Sequence, residues 1–317
     1  MNEIRRALEK GIAYLESAQL PSGEIPIEIA QTAEMNGDRS RQPCVFPTAL
    51  AARVLAIAPL AARVRARALD FLQREMSPDG LWRHPSSELR EHRDTALDLD
   101  DTSIASAALA AAGRPFPNNR PILLAHRERN GLFRTWIVRW WRHPLRTYRF
   151  FWRHRVAEMH DVDAVVNANV VIYLGVLEET RPAIEHMLAV LRANGEMTST
   201  IWYGSRFIVW YFFSQALHEF APEAGEMIVP RIEASVPSNA LELALASSTL
   251  LLWNRVPDVA PLIDTLIGEQ LPSGAWPRAG FYHMGRRRDD AQPKPPWWGS
   301  EALTTLFAIE ALSRRMA

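Results

Sequence analysis

The chain is short of cysteine, of lysine, of net charge and of long apolar runs. Cys44 is the only cysteine among 317 residues, which excludes an internal disulfide and any metal site built on several thiolates. Of 36 basic residues only Lys10 and Lys294 are lysine, and 36 acidic residues bring the formal net charge to zero. A neutral chain has no overall pull towards nucleic acid or an anionic membrane. No uninterrupted apolar stretch has the length needed to cross a bilayer. Met1 to Lys10 is charged and helix-patterned, without the apolar core of a secretion signal. The expectation is a cytoplasmic protein, peripheral on the inner membrane at most. HExxH, Walker A, GxGxxG and DDxxD patterns are also missing from any plausible setting. Their absence removes the usual sequence routes to zinc hydrolysis, nucleotide binding and metal-assisted diphosphate ionisation.

The most informative segment present is Asp98-Leu99-Asp100-Asp101-Thr102, ahead of a small apolar run from Ile104 to Ala112. Two readings fit it. As a helix start, Asp98 is the N-cap and Asp101 the N3 carboxylate, both favoured by orphan N–H groups and the helix dipole. As a chemical group, three carboxylates so close cannot all ionise comfortably, so at least one proton is retained near neutral pH. A carboxylic acid kept protonated there serves as a general acid.

The rest of the chain reads as helix, and it repeats. Gln19-Leu20-Pro21-Ser22-Gly23-Glu24-Ile25-Pro26 returns as Gln270-Leu271-Pro272-Ser273-Gly274-Ala275-Trp276-Pro277. Between them lie Gly80-Leu81-Trp82, Gly131-Leu132-Phe133 and Gly195-Glu196-Met197. Each glycine follows a helical run and precedes an apolar anchor, the pattern of a C-cap and turn. Helices over about 2–20, 60–77, 118–128, 180–194, 221–236 and 258–271 precede the turns. A second, more apolar set follows them over about 44–58, 98–113, 161–177, 205–219, 238–254 and 298–316. Six outer–inner pairs predict an all-α (α/α)6 toroid over residues 1–317, with the acids at the start of an inner helix.

With these motifs the chain resembles the class II terpene cyclases, the squalene–hopene cyclase-like branch of the prenyltransferase and squalene oxidase repeat superfamily. Gln270, Gly274 and Trp276 match the QW turn of that superfamily in full. Gln19 and Gly23 match with Ile25 in place of tryptophan, and the turns at Gly80 and Gly131 match in part. The Asp98–Asp101 segment matches its DxDD motif. The resemblance covers most of the chain but fits one barrel, where larger relatives pair two. It implies that Asp100 delivers a proton to an alkene or epoxide of a linear isoprenoid, while Asp98 and Asp101 hold that proton. No cofactor is implied, and Mg²⁺ enters only if the substrate is a diphosphate.

A carbocation cascade needs a cavity walled by aromatic faces, each worth about 2 kcal/mol to a desolvated cation. Inner-layer candidates are Phe46, Trp202, Tyr203, Phe207, Trp210, Tyr211, Trp297 and Trp298, with the adjacent Trp297-Trp298 pair the leading choice. Asp161, Asp163, Asn167 and Asn169 open the next inner helix, and Asp163 with Asn167 at four-residue spacing predicts a polar network near the mouth. His92 and His160 are candidates to sharpen the acid. Residues 134–155 interleave seven arginines with seven aromatics and hold no acid. This insertion, 134–160 in all, fits a patch from Trp136 to Arg155 touching a membrane, a lid, or a diphosphate clamp aided by Arg286–Arg288. Two other functions compete. One is a carbohydrate-active (α/α)6 enzyme pairing Asp100 with Asp163 across a sugar. The other is a toroidal binding module in which the acids only cap a helix.

Overall fold

A computed structural model describes residues 2–138, 149–152, 159–283 and 296–317. The outer helices among them are α1 (Asn2–Ala18), α3 (Ala62–Glu75), α5 (Arg120–Leu124), α7 (Arg181–Arg192), α9 (Pro222–Glu233) and α11 (Val256–Gly268). The inner helices are α2 (Phe46–Val54), α4 (Leu99–Ala111), α6 (Ala164–Leu174), α8 (Arg206–Leu217), α10 (Ala240–Leu252) and α12 (Glu301–Met316). Consecutive inner helices pack side by side from α2 round to α12, and α12 packs back on α2. The result is a closed (α/α)6 ring.

The division into layers follows from burial around each helix. α1 buries Ala7, Leu8, Gly11, Ile12 and Leu15, a single stripe at helical spacing. α6 buries Ala164 to Val171 without interruption, and α8 buries every residue from Phe207 to Leu217. A helix apolar all round is stable only with neighbours all round. Five inner helices begin on a side-chain cap: Asp98, Asp163, Ser205, Asn239 and Ser300 each accept a backbone N–H from the first turn. α2 starts instead with Pro47 in its first turn.

The glycine turns are pinned in a repeating way. The backbone N–H of Ile25, Trp82 and Trp276 donates to the hydroxyl of Thr48, Thr102 and Thr305 on the following inner helix, at 2.9, 3.1 and 3.0 Å. In the turn at Gly131, Phe133 N donates to Asn167 Oδ1 at 2.9 Å. Trp82 Nε1 and Trp276 Nε1 donate back to Leu72 and Leu266 carbonyls of the preceding outer helices. Gln19 and Gln270 use their amides to tie each turn to the next outer helix, through the carbonyls of Val64 and Ala7.

The sequence pattern predicts helices alone, but the loops before α2 and α12 pair into a small sheet. Its order is β2 (Ser40–Arg41), β1 (Glu28–Ala30), β6 (Trp297–Gly299), β5 (Gly280–His283), all antiparallel. Ile29 lies opposite Trp298, and Trp298 opposite Tyr282. A second pairing joins β3 (Leu97–Asp98) to β4 (Trp136–Ile137). These strands lie at the end of the ring where the inner helices begin.

Candidate active site

The site is built outward from one helix cap. Asp98 Oδ1 accepts from the backbone N–H of Asp100 at 2.7 Å and of Asp101 at 3.4 Å. That cap fixes the first turn of α4 and so the directions of the next two carboxyl groups. Asp100 is gripped on both oxygens: the Tyr203 hydroxyl donates to Oδ2 at 2.6 Å, and Asn169 Nδ2 donates to Oδ1. Asp101 Oδ2 lies 3.4 Å from His84 Nδ1. The chain continues from His84 Nε2 to the Tyr282 hydroxyl at 3.1 Å, and from there to Cys44 Sγ at 3.5 Å. Asp101 Oδ1 and Asn169 Oδ1 are buried without a protein partner among the described residues.

All three carboxylates are buried, and all three form part of the wall of one cavity of about 520 Å³. The remaining wall is largely aromatic. Phe46, Tyr282 and Trp298 form one side, with the Tyr282 and Trp298 rings stacked at 5.4 Å and Phe46 set edge-on to Tyr282 at 6.0 Å. Trp136 meets both Trp202 and Phe150 edge-to-face on the other side, at 5.8 and 5.1 Å. Trp202 is itself aimed by its indole N–H, which donates to Asp161 Oδ2 at 3.0 Å.

The proton inventory follows from burial and mutual repulsion. Burial first, then the charges of Asp101 and Asp100, push Asp98 well above the usual carboxylate range. Burial likewise raises Asp100, to about 6, against the bonds from Tyr203 and Asn169, which favour its ionised form. Asp98 and Asp100 therefore both resist ionisation. Protons in so close a group belong to the cluster rather than to one side chain. Burial alone would lower His84, but the Cys44 and Asp101 side chains outweigh it and hold the imidazole well above its ordinary value. Burial and the Asp100 carboxyl keep the Tyr203 phenol neutral, well above its usual range.

The residues singled out in the sequence fall into two groups. Asp98, Asp100, Asp101, Phe46, Trp202, Tyr203 and Trp298 come together around the cavity. Asp163, Asn167, Trp210 and Trp297 lie off it. Asp163 caps α6, its carboxylate accepting the N–H groups of Val165, Val166 and Ile201, and burial raises it to about 7. Asn167 pins the turn at Phe133, in the role that threonine has in the turns at Gly23, Gly80 and Gly274. Trp210 faces the outer layer, where its indole donates to Glu196, a carboxylate also bound by Arg231 of α9. Phe207 packs edge-on to Trp210, and Tyr211 donates to Glu310. Adjacent residues of a strand point to opposite faces, so Trp298 faces the cavity while Trp297 packs on His283 and over Gly204 and Gly280.

Neither histidine proposed to sharpen the acid does so. His92 binds the Pro85 carbonyl and His160 binds Glu128. The histidine beside the cluster is His84, two residues beyond Trp82, with Nδ1 3.4 Å from Asp101 Oδ2. Asn169, two residues past Asn167, is the amide that reaches Asp100. The arginine-rich insertion contributes Trp136 and Phe150 to the wall, while 139–148, 153–158 and Arg286–Arg288 lie outside the described residues. Among the described residues no group of three or more His, Cys, Asp or Glu side chains is placed to hold a metal ion, and no helix is long and apolar enough to cross a membrane.

No protein-family profile matches the chain, and no curated protein matches it either. Solved structures do. The architecture is that of the single-barrel type II terpene cyclases, seen over nearly the full length of both partners. The cyclase MstE from Scytonema, without ligand, superposes with a TM-score of 0.73 at 16% identity, covering 99% of this chain and 98% of that one. A single-residue variant of MstE bound to its substrate, geranylgeranyl dihydroxybenzoate, gives 0.74 at 16% identity, covering 99% and 97%. A protein from Actinoplanes gives 0.76 at 17% identity, covering 99% and 100%. At these identities the likeness establishes the fold.

Proposed function

We propose that this chain is a class II terpene cyclase acting on a linear isoprenoid, with residues 1–317 serving as one cyclase barrel. The observation that carries the reading is the placement of Asp100, a carboxyl group with its value raised to about 6, in the wall of a cavity where seven aromatic side chains also stand. An alkene is a very weak base, so its protonation needs an acid that keeps its proton near neutral pH yet is not weakened further by its surroundings. Burial and Asp101 supply the first property, and Tyr203 and Asn169 the second.

In this reading the terminal π pair of the substrate takes the Asp100 proton, and the O–H electron pair stays on the carboxylate. The positive charge formed at the substituted carbon is attacked by the next double bond, which closes a ring and moves the charge along the chain. Loss of a proton from carbon to water restores an alkene and ends the cascade, and the Asp100 carboxylate regains a proton from solvent. The product is an isomer of the substrate, so no redox partner is required. Trp298, Tyr282, Phe46, Trp202 and Trp136 offer π faces to the moving charge, each worth about 2 kcal/mol when water is excluded. His84 secures Asp101 and links the cluster through Tyr282 to Cys44.

Asp163 lies outside the cavity, which deprives the paired-carboxylate reading of its second group. A lipophilic substrate also gives the exposed Trp152 a purpose, as a peripheral contact on the inner membrane where such chains reside. The test is turnover of farnesyl and geranylgeranyl diphosphates, squalene and prenylated aromatics, read by mass spectrometry. A cyclic isomer formed by the wild type and lost in Asp100→Asn is the expected result. Full activity in Asp100→Asn, or no turnover of any polyene, would sink the proposal.

A further inference from the structure

The short 3₁₀ helix Arg90–Arg93 separates two spaces of different character. On one side, Leu89, Glu91 and Thr95 line the aromatic cavity. On the other, Arg83, Ser87, Glu88, Leu89, Arg90, His92 and Arg93 line a polar pocket of about 570 Å³. Leu89 borders both, so the polar pocket adjoins the reaction cavity.

In a 3₁₀ helix side chains at i and i+3 eclipse one another. Arg90 and Arg93 thus stand on one face, one above the other, and both are exposed. Among the described residues neither has an ion-pair partner. The one acid of the pocket, Glu88, is already engaged by Arg41. Arg83, partly buried and tied by Nε to the Thr95 carbonyl at 2.9 Å, adds a third guanidinium held by the same loop. His92 is fixed through Nδ1 on the Pro85 carbonyl at 2.8 Å. Two like charges held in register repel each other until an anion bridges them.

We infer that this pocket receives the diphosphate head group of the isoprenoid substrate while its hydrocarbon tail lies against Asp100. The inference rests on the cyclase reading for the tail, but the head-group site stands on its own geometry. A carboxylate is satisfied by one guanidinium fork. Two guanidinium groups on one face of the pocket, without ion-pair partners among the described residues, match an anion with more oxygens and more charge.

The test is a tryptophan-fluorescence titration of the Asp100→Asn enzyme, which does not consume ligand, with geranylgeranyl diphosphate and with geranylgeraniol. The diphosphate is expected to bind roughly ten-fold tighter or more, less so at high salt, and inorganic diphosphate should compete with it. Adding Arg90→Gln and Arg93→Gln together should bring the two ligands to equal affinity. Equal affinity without those changes, or a preference that survives them, overturns the inference. Wild-type turnover separates the two proposals. Cyclic product made equally well from both head groups rejects the head-group site and keeps the cyclase, whereas a diphosphate preference with no cyclic product from any polyene does the reverse.

Discussion

Asp100 sits between opposing demands, and its neighbours set the balance. Replacing it with asparagine keeps the shape and the contact with Asn169 and Tyr203 but removes the proton, so turnover should fall by roughly 10²–10⁴-fold or below detection. With Asp100 as the proposed proton donor, the protonated form is the active one, so kcat/KM should decline as pH rises through about 6. Tyr203→Phe removes a bond that favours the ionised carboxylate, so that decline should move to higher pH, and a pH–rate profile of the two enzymes reads the shift directly. Stability follows the same sign. Asp100, Asp163 and Glu24 are raised by burial from 3.8, 3.8 and 4.5 to about 6, 7 and 7. Each keeps its proton in the fold where the unfolded chain has lost it. Their contribution is full below about pH 4 and is lost as pH rises through 6 to 7. Urea midpoints should accordingly be higher near pH 5 than near pH 8, and Asp163→Asn, which retains a cap oxygen, should flatten the difference. At this scale the acids were legible in the sequence because their spacing is local. His84 and the Tyr203 hydroxyl were not, since their bonds to Asp101 and Asp100 cross 17 and 103 residues and exist only once the ring has closed.

The unit that repeats is a turn with its pin. A glycine after the outer helix turns the chain, the residue two positions later anchors it, and a hydroxyl or amide on the next inner helix receives that residue's N–H. Asn167 belongs to this series, which explains why it does not face the cavity. Asn167→Val would orphan the N–H and carbonyl of Phe133, both buried, at a cost of about 1–3 kcal/mol. Asn167→Thr, the residue used in three sister turns, should restore most of that loss, as denaturant unfolding of the two variants would show. A catalytic role would produce the opposite ranking of effects, with activity lost before stability. The helices and their inner or outer placement could be read from periodicity because each runs for several turns. The sheet could not: β1, β5 and β6 have three or four residues each, and their pairing joins residues almost 270 positions apart. Without that pairing the alternation that separates Trp298 from Trp297 has no visible cause.

Over the whole molecule, the chain ends meet. α1 packs against α12 and α11, and the last turn reaches the first helix, where Gln270 Nε2 donates to the Ala7 carbonyl at 2.9 Å. Gly274 adopts φ +88°, and a Cβ there would lie 2.6 Å from the Lys10 carbonyl oxygen, as close as the last turn can come to α1. Gly23 makes the same approach to α3, with φ +87° and Arg67 as neighbour. α1 and α3 are thus held by the turns before them, and the last turn closes the ring onto the first helix. A ring so closed should unfold as one unit, although it is larger than most two-state domains. Gln270→Ala, which opens the closure, and Asn119→Ala, which removes a buried amide bonded to Gly80, Ser106 and Tyr173 across the ring, provide the test. Both should lower one shared midpoint by at least roughly 2–4 °C, with far-ultraviolet circular dichroism and tryptophan fluorescence tracing the same curve. If either variant separates the two signals, the six helix pairs are melting in sectors. The acid on α4 and its partners on α6, the Tyr203 loop and β5 would then owe their alignment to local contacts rather than to ring closure.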